Sequence, residues 1–112
     1  MTVQQRLIVP LLLADTDAVI FAAPVGRRAI ITKAVCCNTD GAGAHAPIFY
    51  VVAAVGSADL TNKMTPLAIP AGEDAEIYEL EDICLEPGDS LWGYADTTLV
   101  VNFHLHGKYV DM

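Results

Sequence analysis

Residues 99–109, Leu-Val-Val-Asn-Phe-His-Leu-His-Gly-Lys-Tyr, decide the fold class. Leu99, Val101, Phe103, Leu105 and Tyr109 are apolar at odd positions, whereas Asn102, His104, His106 and Lys108 are polar at even ones. Successive side chains of a β-strand point to opposite faces, so this period of two gives one buried face and one polar face. A helix would mix the two sets. The odd face, with Val101, Phe103 and Leu105, is the predicted core. The even face, Asn102, His104, His106 and Lys108, is predicted to meet solvent or a neighbouring subunit.

Outward from this strand, similar signals recur at short intervals with turn residues between them, the pattern of a sandwich or barrel. Arg6 to Leu13 is a first strand interrupted by Pro10, which marks an edge or a bend. Ala18 to Ala23 follows, ended by Pro24 and Gly26. Arg27 to Asn38 is a long strand rich in β-branched residues, and Pro47 to Val55 reads as a central strand. The glycine-rich loop 39–44 between them predicts a long hairpin. Residues 56–65 are polar and read as a loop or one helical turn, before short strands at Leu67 to Pro70 and Ala75 to Leu80. Leu85-Glu-Pro-Gly-Asp89 is a strong turn signal, followed by a strand at Ser90 to Ala95. The expectation is an all-β, single-domain antiparallel β-sandwich spanning residues 1–112, jelly-roll-like, with about eight strands. Residues 1–25 are read as a partly extended N-terminal arm that could reach a neighbour.

The composition limits the function. The chain is 54% hydrophobic and only 18% charged, against about 45–50% and about 25% in ordinary soluble domains. A domain of 112 residues cannot hide all of that apolar surface inside itself, so an oligomer or larger assembly is expected. No apolar run approaches the roughly 18 residues needed to span a bilayer, which argues against a membrane partner. The net charge of −8 argues against nucleic acid, because phosphate binding needs clustered Lys and Arg. The acids Glu73, Asp74, Glu76, Glu79, Glu81, Asp82, Glu86 and Asp89 fall in one stretch with no base, which reads first as a solvated face. Arg27 and Arg28 open a strand and are candidate interface residues toward such an acidic segment, for example in a second copy. The start of the chain lacks the order of a signal peptide. Cys36, Cys37 and Cys84 cannot all pair within the chain, which suits free thiols in a reducing cytoplasm.

No catalytic signature emerges, and the chain is read as non-enzymatic with no cofactor. Neither Ser57 nor Ser90 sits in a G-x-S-x-G context, and Gly41-Ala-Gly43 is not a phosphate loop. His104 and His106 lie on one strand face roughly 6.5–7 Å apart. They are weak metal candidates that would need a third ligand, from His45 or an acid; a cupin-like metal enzyme is the reading this leaves open. Trp92, Tyr94, Tyr78, Tyr50, Phe49 and Phe103 suit core packing better than a carbohydrate platform, although a glycan- or receptor-binding module remains a second alternative.

Three blocks carry a resemblance. They are Thr32, Lys33, Ala34, Cys37, Asn38 and Thr39; Ile69, Ala71, Gly72 and Glu73; and Leu85, Pro87, Gly88, Asp89 and Leu91, with Gly107 in the final strand. In order and spacing they resemble small all-β virion structural proteins of tailed bacteriophages. The resemblance covers roughly residues 26–110; the doubled Cys36-Cys37 and the His104-Leu-His106 face depart from the pattern. It implies a capsid decoration (cement) protein that binds the major capsid protein as a homo-oligomer, often a trimer at a local three-fold axis. The other placement it implies is a neck, tail or fibre-base component. Either would assemble in the host cytoplasm and reside in the virion.

Overall fold

A computed structural model of the chain describes residues 5–8, 10–54, 63–97 and 100–111, with nothing said of the side chains of residues 5 and 6. The strands are β1 Gln5–Arg6, β2 Leu11–Leu12, β3 Ala18–Ala22, β4 Arg27–Asn38, β5 Pro47–Val52, β6 Lys63–Met64, β7 Asp74–Glu76, β8 Cys84–Leu85, β9 Ser90–Ala95 and β10 Val101–Asp111. The single helical element is a 3₁₀ turn, Tyr78–Leu80, among the described residues.

Every named pairing is antiparallel. One sheet runs β1-β10-β4-β7, with β2 also on β10 and β8 also on β4. The segments β1 and β2 lie end to end along β10 with Pro10 between them, and β7 and β8 lie end to end along β4. Each pair acts as one interrupted edge strand, so six segments make a four-stranded sheet. The second sheet runs β3-β9-β5-β6. Two four-stranded sheets with these orders, and a chain that changes sheet at all but one connection, form an eight-stranded jelly roll. The described part of residues 1–25 belongs to this sandwich: Leu7 donates its N–H to Leu105 O at 2.9 Å, Leu13 donates to Val101 O at 2.8 Å, and β3 pairs with β9.

The expected β4–β5 hairpin does not form. β4 pairs with β10, β7 and β8, whereas β5 pairs with β9 and β6. The intervening loop crosses the roughly 10 Å between sheets instead of folding the chain back in one sheet. Residues 67–70 contribute only one bridge, Ile69 to His45. The predicted strand at Ala75 to Leu80 ends at Glu76 and turns into the 3₁₀ segment. Strict alternation would bury only one of Ile77 and Leu80, three residues apart; the tight turn buries both, at 2% and 0% exposure.

The odd face of β10 forms the core as the sequence predicts: Val101, Phe103 and Leu105 are fully buried, and the Phe103 ring packs 5.0 Å from Phe49 of the opposite sheet. Leu99 lies outside the described residues. Between His106 and Gly107 the β4–β10 register shifts, leaving Thr32 as the extra residue of a bulge. A Cβ on Gly107 would lie 2.2 Å from Ile30 O and 2.8 Å from Leu7 Cδ1, so only glycine permits this close approach.

Candidate functional site

Several of the residues that carry the resemblance, Asn38, Thr39, Gly72, Gly88 and Asp89 among them, lie at the two ends of the sandwich. At one end, Asn38 is the only buried polar residue among the described ones. Its Nδ2 donates to Gly43 O and Ile69 O, both at 2.9 Å, and its Oδ1 accepts from Asp40 N at 2.9 Å. Thr39 Oγ1 donates to Val100 O at 2.7 Å, and Gly72 N donates to Asp40 O at 3.0 Å. At the other end, Gly88 adopts φ +89°, a conformation that favours glycine. Beside it, the Asp89 carboxylate accepts from Glu86 N and Ala54 N, both at 3.1 Å. These side chains join strand ends that are distant in sequence.

The polar face of β10 lies on the outside of its sheet. Asn102, His104, His106 and Lys108 are all half-buried. Register places Cys37 between Asn102 and Asp74, Val35 between His104 and Glu76, and Ile30 between Lys108 and Cys84. The face therefore carries the polar side chains of β10 on one side and Asp74 and Glu76 of β7 on the other, with Cys37, Val35, Lys33 and Ile30 of β4 between them. Asn102 Nδ2 lies 3.3 Å from His104 Nε2. His104 and Glu76 are two strands apart, roughly 10 Å, with Val35 in register between them. Among the described residues no three His, Cys, Asp or Glu side chains converge as a metal site would require.

The two arginines are engaged within the chain. Arg27 Nε pairs with Asp111 Oδ1 at 2.9 Å and its guanidinium lies 5.3 Å from the Tyr109 ring centre. Arg28 Nε pairs with the Glu86 carboxylate at 3.1 Å. Arg28 thus meets the chain's own acid-rich stretch, and Arg27 meets Asp111 at the end of β10. Both pairs are exposed and contribute little, about 0–1 kcal/mol each.

The outer face of the other sheet holds a surprise. Leu91, Gly93 and Ala95 point inward, so Trp92 and Tyr94, expected in the core, face outward and are half-buried. Trp92 pairs in register with Val19 on one side and Tyr50 on the other, and Tyr50 stacks on Tyr94 at 6.5 Å. Tyr50 is itself buried, which raises its hydroxyl pKa. A separate groove of about 340 Å³ lies between residues 66–68 and residues 75–79, flanked by the exposed Leu67 and Tyr78.

His45, read from sequence as a possible third metal ligand, is engaged elsewhere. Its Nε2 lies 2.7 Å from Asp40 Oδ2 and its Nδ1 lies 2.9 Å from Asp96 Oδ1. The Asp40 hydrogen bond raises the imidazole pKa, opposed by partial burial and reinforced by Asp96. The same bond, with one from Ala42 N, holds the Asp40 carboxyl below its usual range. Nothing local links His45 to Asp96, 51 positions further along the chain.

Cys36 is buried, and burial pushes its thiol up to about 12. Cys37 is raised by its hydrogen bond to Asp74, and Cys84, the exposed one, by desolvation and Glu86. Glu81 is raised by desolvation and by the adjacent Glu76. Among the described residues no helix is long and apolar enough to cross a membrane.

No protein-family model matches the chain, and no curated protein shows significant similarity to it. Among solved structures the chain is similar to one described as "Bacillus endospore appendages form a novel family of disulfide-linked pili", with a TM-score of 0.55 and 13% identity. That alignment covers 99% of this chain and 88% of the pilus chain. At this identity the likeness speaks to the shared β-sandwich fold.

Proposed function

We propose that this chain is a structural virion protein of a tailed bacteriophage, a capsid decoration protein that binds the major capsid protein as an oligomer. The observation that carries the reading is the placement of the resemblance blocks. Asn38, Gly72, Gly88, Asp89 and Gly107 are the residues that close the ends of the jelly roll and fit its central strands together. The shared pattern is therefore a pattern of fold construction, as expected of a building block. The apolar composition and the two-signed outer face of the β10 sheet favour a role in packing against other chains. The structural neighbour, from a family of disulfide-linked pili, is consistent with use of such a sandwich in an assembly. Fold alone never fixes function, so the test is direct. Image reconstruction of the particle should place this sandwich on the outer head surface; density at the neck, tail or fibre base would move it to that alternative. Size-exclusion chromatography with light scattering should show an oligomer, and a monomer at all concentrations would overturn the oligomer claim.

One observation favours a second reading, a glycan- or receptor-binding module: Trp92 and Tyr94 face outward beside Val19 and Tyr50. Binding on a glycan array that is lost on Trp92→Ala would support it, and an array without hits would remove it.

A further inference from the structure

We propose that Asp40, His45 and Asp96 form a pH-sensitive clasp that fastens the sheet-crossing loop to the end of β9 and opens on the Asp96 side when the His45 imidazolium loses its proton. Both ring nitrogens of His45 face carboxylate oxygens, at 2.7 and 2.9 Å. A neutral imidazole has one N–H and one lone pair, so only the imidazolium can donate to both acids. Loss of the proton leaves a lone pair directed at one carboxylate.

The surroundings decide which contact breaks. Asp40 is held independently: its Oδ1 accepts from Ala42 N at 2.8 Å, its N–H donates to Asn38 Oδ1 at 2.9 Å, and its carbonyl accepts from Gly72 N at 3.0 Å. The Asp96 side chain is 49% exposed and can swing into solvent. The tautomer that keeps its proton on Nε2 therefore stays with Asp40 and releases Asp96. From its other side His45 meets Ile69, which offers only main-chain bonds, at 3.1 and 2.8 Å. Among the described residues no lysine or arginine pairs with either carboxylate. The charged form is favoured in the folded state, so the clasp is closed at and below the ordinary histidine range. It is lost as pH rises through the folded-state value.

The test uses the intact chain. Proton NMR should find His45 titrating above the ordinary histidine value of about 6.5. Amide exchange at Asp96, corrected for the intrinsic rate, should lose protection above that titration, by up to about tenfold per pH unit. Asp96→Asn should bring the His45 titration down while leaving Ala42 protected by Asp40. His45→Gln, which does not titrate, should make protection at Asp96 independent of pH. His45 titrating at or below about 6.5, or Asp96→Asn leaving its titration unmoved, would overturn the proposal. Both readouts stand even if His45→Gln fails to fold.

Discussion

Adjacent residues of β10 should respond to truncation in opposite ways. Phe103 is fully buried and packs across the sandwich against Phe49. Cutting it to alanine removes roughly 150 Å² of buried apolar surface. At about 25 cal/mol per Å² this is about 4 kcal/mol, within the range of about 3–5 kcal/mol for such truncations. His104, one residue on, is half-buried on the outer face, with one long contact to Asn102 at 3.3 Å. Its truncation should cost within about 0.5 kcal/mol. Trp92 is the single tryptophan and provides the fluorescence probe for urea unfolding. With a slope of about 1.5 kcal/mol per molar, Phe103→Ala should lower the midpoint by about 2.5 M, and His104→Ala by less than about 0.3 M. If Phe103→Ala is unfolded in buffer, Phe103→Leu should give a smaller, measurable shift in the same direction. His104→Ala should instead weaken oligomerisation in light scattering. A His104→Ala monomer that unfolds as readily as the Phe103 variant would refute the division of β10 into core and contact faces.

Gly107→Ala should lower the melting temperature by roughly 4–12 °C, from an overpacking cost of about 1–3 kcal/mol, because the added methyl meets the Ile30 carbonyl in a rigid ladder; an unchanged melt would mean that the bulge is absent. Thr32 Oγ1 is buried with no hydrogen-bond partner, so Thr32→Val should raise stability by about 1 kcal/mol, measured in the same urea titration. A thiol reagent should label Cys84 in the native protein and Cys36 only after unfolding, as mass spectrometry of the labelled peptides will show. Glu81 is raised in the folded state, so its charged form costs stability at neutral pH; the cost fades as pH falls through the folded value and is gone below the ordinary value of 4.5. Glu81→Gln should therefore melt higher than wild type at pH near 7, with the difference disappearing in acid.

Alternation made β10 and the core residues Phe103 and Leu105 legible in the sequence, β-branched content located β4, and the turn at 85–89 located β9. Pro10 correctly marked a break, because an edge strand can be interrupted where a central one cannot. The β4–β5 hairpin was misread because a glycine-rich loop signals a reversal of the chain without saying whether the return strand joins the same sheet. Trp92 and Tyr94 were misplaced for a related reason: in Ser90-Leu-Trp-Gly-Tyr-Ala both faces are largely apolar, and only the packing of Phe49 against Gly93 shows which set turns inward. The His45 clasp and the arginine pairs join residues brought together only by the finished fold, which no spacing rule anticipates.

The position of β10 also fixes when this protein can first become itself. It follows every other strand of the sandwich in the chain, yet it sits between β1, β2 and β4 in the middle of its sheet. A ribosome therefore delivers Leu7, Leu13 and the whole inner surface of β4 long before their shared partner exists. Until residue 111 has emerged, that sheet has a gap at its centre, flanked by unpaired strand edges of the kind that invite aggregation. Folding must be a late, nearly all-at-once event dominated by distant pairings. A chain cut short within β10 would leave that gap open and its flanking strand edges exposed.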